Sequence, residues 1–359
     1  MHDNKVFIIA EAGVNHNGSL DIALELINVA VNAGVDAVKF QTFKADKVVS
    51  RFASKAEYQT QNTGTTESQL EMVKKLELDE KQHMILAENC RERGIEFMST
   101  PFDLDSVDFL ANVVNVSRLK ISSGEITNGI ILLKVARTGK PIILSTGMST
   151  LDEVETALGV LAFGFINSQE KPSIGAFKEA YSSIEGQSFL KDKVSLLHCT
   201  TEYPAPFDEV NLKAIDTLRD KFALPVGYSD HTRGIAIPIA AVARGAVIIE
   251  KHFTLDRNLP GPDHKASLEP NELKLMVSSI RQIELALGNG IKQPTPSELK
   301  NMSVARKSLV AIKEIKKGEI FTEANIGIKR PGTGLSPFEY WDLLGKKADK
   351  DYMVDEVIA

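Results

Sequence analysis

The sequence predicts a closed (β/α)8 barrel followed by a small β-rich unit, and three observations support this fold class. Eight short apolar runs alternate with helix-length amphipathic segments over residues 1–288. Polar side chains gather where each run ends, which favours a barrel over an open doubly wound sheet, since only a barrel collects eight strand ends around one mouth. A Gly/Pro-rich linker at 289–300 then separates the barrel from a second unit at 301–359.

The spacing of the runs sets the order of the predicted elements. Strands are expected over residues 6–12, 37–43, 95–99, 118–122, 141–145, 194–199, 224–229 and 247–253. A polar insertion at 44–78 separates the second strand from its helix, and we expect it to cover or edge the mouth as a lid. The second unit has short β-type runs at 308–312 and 326–329, and its small size predicts that it leans on something larger.

Composition excludes several classes of protein. The net charge is −6 and no dense Lys/Arg block is present, so a nucleic-acid-binding surface is not expected. No apolar stretch approaches the roughly 20 residues of a membrane span. The two cysteines, Cys90 and Cys199, are too few for a disulfide framework, and the polar start does not resemble a signal peptide. We therefore expect a cytoplasmic protein without membrane or nucleic-acid partners.

Two histidines offer a seat for a metal ion. His231 and His252 each close a predicted strand, and a single helix-length segment separates the two strands. They would be neighbouring parallel strands with both rings at the same end of the barrel. Two imidazoles without a nearby cysteine suit an open site for Mn²⁺, Mg²⁺ or Zn²⁺, whereas two merely hydrogen-bonded histidines are the alternative. His16, His198 and His264 are weaker candidates.

A second group of residues predicts an anion site at the same mouth. Lys39 ends an apolar strand, where a bound phosphate or carboxylate would compensate its charge; a salt bridge to Glu11 is the alternative. The strings SSGE at 122–125 and STG at 145–147 both place hydroxyl and N–H groups before a helix, an arrangement that binds anions or simply caps the helix. With Thr100 nearby in barrel order, their co-occurrence favours a phosphate site.

Two lysines and an arginine add further possibilities. A desolvated Lys120 or Lys251 could form a Schiff base, which would make the protein a metal-free aldolase, with Lys120 the better nucleophile. In the second unit, Arg330 precedes a Pro/Gly turn and could reach an acetamido carbonyl or a carboxylate; a solvated basic tip is the alternative. Docking of this unit over the mouth of a partner subunit would deliver Arg330 to the site.

Ten ordered segments together resemble the sialic acid synthase family. They are EAGVNHNG (11–18), VKFQT (38–42), STPF (99–102), KISSGE (120–125), LSTGM (144–148), HCTTEYP (198–204), SDHT (229–232), EKHFT (250–254), PGPD (260–263), and the tail from 305 to 358 with KRPG at 329–332. The tail resembles the antifreeze-like (SAF) domain of that family. The resemblance covers nearly the whole chain.

The resemblance implies condensation of phosphoenolpyruvate with the open-chain aldehyde of an N-acetylated mannosamine-type sugar, giving a nine-carbon 2-keto acid and phosphate. It implies that His231 and His252 bind a divalent metal, most readily Mn²⁺ or Mg²⁺, which acts in catalysis. Glu125, beside the phosphate loop, is the candidate proton carrier, with a sugar contact alone as the alternative, and Glu11 could act as an acid, a base or a hydroxyl acceptor. The implied phosphoenolpyruvate contacts are Lys39, Thr100, Ser123, Ser145 and Ser229. The implied sugar contacts are Glu11, Glu125, Tyr203, Asp263 and Arg330, the last coming from the other subunit of a domain-swapped homodimer.

The choice of sugar rests on a few positions. Phe40, Phe43 and the string TEYPAPF at 201–207 resemble the branch that forms N,N'-diacetyllegionaminate from 2,4-diacetamido-2,4,6-trideoxymannose. This sugar lacks a 6-hydroxyl, so a less polar pocket would suit it. The alternatives are N-acetylneuraminate formation from N-acetylmannosamine, the Schiff-base aldolase, and a carbohydrate- or ice-binding protein in which the tail is the active part.

Overall fold

A computed structural model describes residues 5–64, 66–167 and 169–359. The chain forms two compact units, one up to Gly288 and one from Asn289 to Ala359. Among the described residues, no helix combines the length and the hydropathy needed to cross a lipid bilayer.

The first unit is built on eight parallel strands. These are β1 (Phe7–Gly13), β2 (Ala37–Thr42), β3 (Glu96–Pro101), β4 (Leu119–Ile121), β5 (Ile142–Ser145), β6 (Val194–Cys199), β7 (Val226–Asp230) and β8 (Ile248–His252). Their order is β3-β2-β1-β8-β7-β6-β5-β4, and β3 and β4 lie side by side at the remaining seam. The predicted barrel is confirmed, in a nearly closed form, and the strand ends differ from the prediction by a few residues.

Helices surround the strands and connect them. They are α1 (Leu20–Ala33), α2 (Ala45–Val48), α3 (Glu57–Thr63), α4 (Gln69–Lys74), α5 (Glu80–Glu92), α6 (Leu104–Asp108), α7 (Gly129–Arg137), α8 (Leu151–Ile166), α9 (Ile174–Ser182), α10 (Ile184–Lys193), α11 (Ala214–Phe222), α12 (Ala236–Ala243) and α13 (Pro270–Leu287). Helix α1 shows why they form: Ser19 caps its first turn, its buried residues fall on one face, and Gly34 ends it in the left-handed conformation.

The alternation of side chains along the strands separates the core from the mouth. Outward residues such as Phe40 and Tyr228 are buried in the apolar layer between strands and helices. Inward residues form an apolar floor made of Ile9, Ala37, Met98, Ile143, Leu197 and Ile248. Two residues further along several of these strands the inward side chains become polar, as at Glu11, Lys39, Thr100, Ser145 and Glu250. The barrel therefore closes at the floor and presents a polar layer above it.

The insertion between β2 and α5 contains α2, α3 and α4 and lies at the mouth, as predicted. The side-chain amide of Asn62 donates to the carbonyl of Pro262, in the loop after β8, at 2.7 Å. The ring of Tyr58 lies 5.1 Å from the ring of Tyr203, in the loop after β6. The insertion is thus held against two of the loops that surround the mouth.

The second unit contains α14 (Pro296–Ala305), an antiparallel pair of β9 (Ser308–Ala311) and β10 (Ile326–Lys329), and α15 (Tyr340–Leu343). A separate small core forms around Leu309, Ala311, Ile315, Phe321, Ile326 and Tyr352. Part of the predicted linker is helical, because Thr295 caps the first turn of α14 and Pro296 occupies its first position.

Candidate active site

Four buried charged side chains lie in the polar layer above the floor. The ammonium of Lys39 lies 2.7 Å from Glu11 Oε2 and 3.6 Å from Glu250 Oε2. The ammonium of Lys120 lies 3.2 Å from Glu250 Oε1. None of the four side chains is more than 5 % exposed, so each charge depends on its neighbours rather than on water.

The four groups perturb each other's ionisation. Burial raises the pKa of Glu11 despite the adjacent Lys39, and the negative charge of Glu250 raises it further. Burial acts in the same direction on Glu250, but Lys120 and Lys39 together hold its pKa below the usual value. Burial lowers the pKa of Lys120, whereas the carboxylates raise that of Lys39. Glu11 is therefore the member of the cluster that most readily takes up a proton.

Of the two predicted partners of Lys39, the structure shows the salt bridge to Glu11. Glu250 is a second carboxylate beside Lys39, which the sequence analysis does not assign. The charge of Lys120, which the sequence analysis names only as a Schiff-base nucleophile, faces the same space. The period of two along β8 contained the signal for Glu250, because a residue two before an inward His252 must also point inward.

Hydroxyl groups form the next part of the site, between the loops after β4, β5 and β6. The hydroxyl oxygen of Ser123 accepts from Gly147 N at 3.0 Å and lies 3.1 Å from Cys199 Sγ. The hydroxyls of Ser145, Ser122 and Thr201 are buried without a hydrogen-bond partner. Unpaired buried hydroxyls are costly, which indicates that a polar ligand belongs here.

The close approach of Gly147 explains the glycine in this loop. A Cβ added to Gly147 would lie 2.5 Å from Thr201 Oγ1, 2.8 Å from Ser123 Oγ and 2.9 Å from Cys199 Sγ. No side chain can occupy this space without displacing the hydroxyls. The loop therefore keeps the three groups close together beside the Gly147 Cα, and the Gly147 N–H donates to one of them, Ser123 Oγ.

The remaining predicted anion contacts adjoin the charged cluster. Lys39 donates to Thr100 Oγ1 at 3.1 Å, and Ser229 donates to Glu250 Oε1 at 2.8 Å. The structure therefore brings Lys39, Thr100 and Ser229 into the polar layer, while Ser123 and Ser145 lie at the neighbouring strand ends.

His231 and His252 lie side by side at the mouth, with ring centroids 5.5 Å apart. The Nδ1–H of His231 donates to the carbonyl of Thr200 at 2.5 Å, which leaves its Nε2 lone pair free, and Nδ1 of His252 is buried without a partner. Burial lowers the pKa of His231 to about 4 and that of His252 well below its usual value. Both rings are thus neutral at physiological pH, as a metal ligand must be.

The side chains at the mouth could supply only part of the ligands of a metal ion. In the ranges that the structure describes, no group of three or more His, Cys, Asp or Glu side chains could hold a metal ion. A cation between the two imidazoles would take its other ligands from substrate and water, which is the arrangement of an open site rather than a structural one.

Aromatic rings and one carboxylate border the imidazoles. The ring of Tyr203 lies 4.1 Å from that of His231 and 5.5 Å from that of His252. Asp263 is buried, and desolvation raises its pKa to about 6. Tyr203, His252 and Asp263 line one cavity of about 260 Å³, and side chains of the insertion also contribute to its lining.

The other two predicted site residues bond to groups in their own segments of the chain. Glu125 is half-buried at the start of the loop after β4; its carboxylate accepts from Asn128 Nδ2 at 2.7 Å, and desolvation raises its pKa. Arg330 belongs to the second unit, where it is exposed and its Nε donates to the carbonyl of Ala305 at 3.1 Å.

Several weaker candidates have structural roles instead. His16 Nδ1 accepts from Gly18 N, His198 Nε2 lies 2.7 Å from the carbonyl of Val210, and His264 Nδ1 lies 2.7 Å from Thr254 Oγ1. These bonds hold loops and elements in place.

Two residues that the sequence analysis names, Lys251 and Phe40, face the helices instead of the mouth. Lys251 points away from the mouth and pairs with Asp230 at 2.6 Å, so it cannot serve as a Schiff-base nucleophile there. Phe40 lies against Phe97 in the apolar layer, so only Phe43 contributes to the cavity.

A parallel barrel with paired lysines, unpartnered hydroxyls and neutral imidazoles at one mouth defines an enzyme site for a small anionic substrate. The chain matches the NeuB family over residues 26–292 and the SAF domain over residues 306–358. It belongs to the NeuB family and is a synthase of the sialic acid synthase type, as the motifs indicated.

Relatives of the chain include two curated bacterial enzymes. It is 54% identical over 99% of both chains to the N,N'-diacetyllegionaminic acid synthase of Campylobacter jejuni. It is 48% identical to the enzyme of the same name from Legionella pneumophila, over 95% of this chain and 90% of that one. Among solved structures, the N-acetylneuraminic acid synthetase of Leptospira borgpetersenii in complex with citrate is 36% identical, with a TM-score of 0.66, over 83% of this chain and 90% of that one.

Proposed function

We propose that the protein condenses phosphoenolpyruvate with 2,4-diacetamido-2,4,6-trideoxymannose to give N,N'-diacetyllegionaminate and phosphate. The observation that carries the proposal is the single mouth that combines two buried lysines with two neutral imidazoles and a cavity beside them. The full-length similarity to two synthases with that product supports the same choice.

Phosphoenolpyruvate binds at the charged end of the site in this proposal. Lys39 and Lys120 offer two ammonium groups, one for the carboxylate and one for the phosphate, and the hydroxyls of Ser123 and Ser145 donate to the phosphate. The anion brings its own negative charge to lysines that Glu11 and Glu250 already neutralise. Because the pKa of Glu11 is raised, its protonation offsets part of this added charge.

His231 and His252 would hold a divalent metal, Mn²⁺ or Mg²⁺, through their neutral rings. The unpartnered Nδ1 of His252 and the fixed ring of His231 fit this role. A metal bound there supplies Lewis acidity toward a carbonyl oxygen. Tyr203, packed on the His231 ring, restrains that ring and excludes water from one side of it.

The reaction joins C3 of phosphoenolpyruvate to C1 of the sugar aldehyde, adds water at C2, and releases phosphate by cleavage of the C2–O bond. The new hydroxyl at sugar C1 gains a proton, and the attacking water loses one. Glu125, with a raised pKa near the hydroxyl loops, is the proposed proton carrier, a role that contributes about 10²- to 10⁴-fold to the rate. Glu11, Tyr203 and Asp263 bind the sugar hydroxyl and acetamido groups.

A domain-swapped homodimer would complete the site. Large apolar side chains are exposed in the segments that follow barrel strands, including Met148 at 70%, Phe207 at 61% and, in the first turn of α7, Ile130 at 69%. The second unit exposes Phe338 at 91% and Trp341 at 73%. Apolar patches of this kind are typical of interaction surfaces. We propose that the second unit of one copy covers the mouth of its partner and presents Arg330 to the sugar.

The experiment is a turnover assay on the full chain with phosphoenolpyruvate, Mn²⁺ and each amino sugar, which measures phosphate release and the mass of the product. We expect a larger kcat/KM for the diacetamido trideoxy sugar than for N-acetylmannosamine. A preference for N-acetylmannosamine would instead identify an N-acetylneuraminate synthase.

The aldolase alternative is tested in the same preparation. If the protein were a Schiff-base aldolase, borohydride added with pyruvate would trap a covalent adduct on Lys120, and activity would persist in EDTA. We expect no adduct, because the Lys120 ammonium is paired with Glu250. A trapped adduct with EDTA-resistant activity would overturn the condensation.

A further inference from the structure

The cavity beside the imidazoles is lined by two chemically different sets of side chains. One is the polar set of Tyr203, His252 and Asp263. The other is an apolar wall formed by Phe43, Val49, Val73, Leu76 and Phe102. Phe43 and Leu76 are buried with Val14 in a small cluster against which Val73 and Phe102 pack, so this wall is a preformed surface.

The wall is supplied largely by the insertion and carries no charge. The side chains that the insertion contributes to the cavity lining are uncharged, and the polar ones among them are the phenol of Tyr58 and the amides of Gln59 and Gln69. Phe43 and Phe102 meet edge to face with centroids 6.2 Å apart, which fixes the two rings. A hydroxyl placed against this surface would lose water without gaining a partner.

The position of His252 sets the orientation of the substrate. This inference rests on the proposed function, in which the sugar aldehyde at C1 lies near His252, where phosphoenolpyruvate C3 reaches it. The opposite end of the open chain, C5 and C6, then extends away from the imidazoles within the same cavity. We infer that the apolar wall binds the C6 methyl group and selects a 6-deoxy sugar over its 6-hydroxy counterpart.

The test compares two sugars that differ only at C6: 2,4-diacetamido-2,4,6-trideoxymannose and 2,4-diacetamido-2,4-dideoxymannose. For the wild-type chain we expect kcat/KM to favour the 6-deoxy sugar by about 10- to 100-fold, the range typical of one methyl or hydroxyl in an apolar pocket. A ratio near one would overturn the inference.

Variants of the wall test whether it causes the preference for the 6-deoxy sugar. Val73→Thr keeps the shape of the side chain and adds a hydroxyl to the wall, so it should lower the ratio by about tenfold. Val29→Thr, at a half-buried position of α1 outside the cavity, is the matched control and should leave the ratio unchanged. Val49→Thr repeats the test should Val73→Thr lower the melting temperature. If all three variants kept the wild-type ratio of kcat/KM for the two sugars, the wall would not select between them and the inference would fail.

The outcomes separate this inference from the proposed function. Release of phosphate with neither sugar would refute the condensation itself. Turnover of both sugars at equal efficiency would refute only the role of the wall. A second pair without the C4 acetamide, 2-acetamido-2,6-dideoxymannose and N-acetylmannosamine, also differs only at C6. We expect the same preference for the 6-deoxy sugar in this pair, and its loss would contradict recognition of the methyl group by the wall.

Discussion

At the scale of single residues, the site depends on charges and rings that burial forces into defined protonation states. Asp263 shows this most simply, since desolvation is the cause of its raised pKa. Burial also leaves polar atoms at the mouth without a partner, such as His252 Nδ1 and Ser145 Oγ, and each of them is available to a ligand.

Replacing Asp263 should change how stability depends on pH. The folded-state pKa of about 6 lies above the usual value of 3.8, so the folded protein binds the proton more tightly and loses stability as pH rises from about 4 through 6. Asp263→Asn removes this loss, and at pH 7.5 the variant should be more stable than wild type by about 2–3 kcal/mol, with no such gain at pH 4.

Urea unfolding at a series of pH values measures this difference. Asp192→Asn, an exposed position of α10, is the control and should show no pH-dependent gain. A constant offset between Asp263→Asn and wild type at all pH values would argue against a buried, proton-binding carboxyl.

Replacing His231 or His252 with Ala should abolish turnover while the barrel stays folded. Loss of an outer-shell partner typically costs 10- to 100-fold in metal affinity, so loss of a ligand should cost more than about 100-fold. Calorimetry of Mn²⁺ binding, together with thermal melts, measures both effects.

The control is His198→Gln, which removes the ring that lies against the Val210 carbonyl. This variant should lose stability and keep Mn²⁺ affinity. Full activity of His231→Ala in metal-free buffer would remove the proposed role of the imidazoles.

At the scale of elements, the loops after the strands carry the chemistry and the alternation within the strands decides what reaches them. The loop after β5 is the clearest case, because the missing Cβ of Gly147 leaves room for Ser123, Cys199 and Thr201. The insertion is the second case, since α3 and α4 bring Tyr58 and Val73 to one cavity.

Gly147→Ala should raise the KM for phosphoenolpyruvate by at least about tenfold, because overpacking displaces Ser123 and Thr201. Gly124→Ala is the matched control in the adjacent loop, where the added Cβ would meet only Ser122 Oγ at 3.8 Å. Steady-state kinetics with both substrates checks the pair. An equal effect of the two substitutions would show that the close contact at Gly147 is unimportant.

At the scale of the whole molecule, the proposed dimer predicts complementation between inactive chains. In a swapped dimer, each site uses the histidines of one copy and Arg330 of the other. Arg330→Ala alone should raise the sugar KM far more than the phosphoenolpyruvate KM.

Mixing His231→Ala with Arg330→Ala, after dissociation and reassembly, should restore about one quarter of wild-type activity under sugar-limited conditions, since half of the dimers are mixed and each has one intact site. The two variants measured separately give the baseline. Activity no higher than the mean of the separate preparations would indicate that Arg330 acts in its own subunit or not at all.

Much of the fold and the composition of the mouth could be predicted from local patterns. Eight apolar runs with polar ends specify a barrel because strand period and helix length are local properties of the chain. The same period assigns Glu11, Lys39 and His252 to one end of the barrel. Which charged side chains pair with each other depends instead on distances between strands that are far apart in sequence. Glu250 was therefore missed as the carboxylate between Lys39 and Lys120.

The barrel, the polar mouth and the pair of histidines follow from local sequence patterns, because each depends on the spacing of residues within a strand or between neighbouring strands. The fold was needed to show that Lys251 and Phe40 face the helices, that Tyr203 packs on His231, and that the insertion contributes to an apolar wall. Those outcomes depend on strand register and on contacts between segments up to 200 residues apart, as between Asn62 and Pro262, which no local pattern encodes.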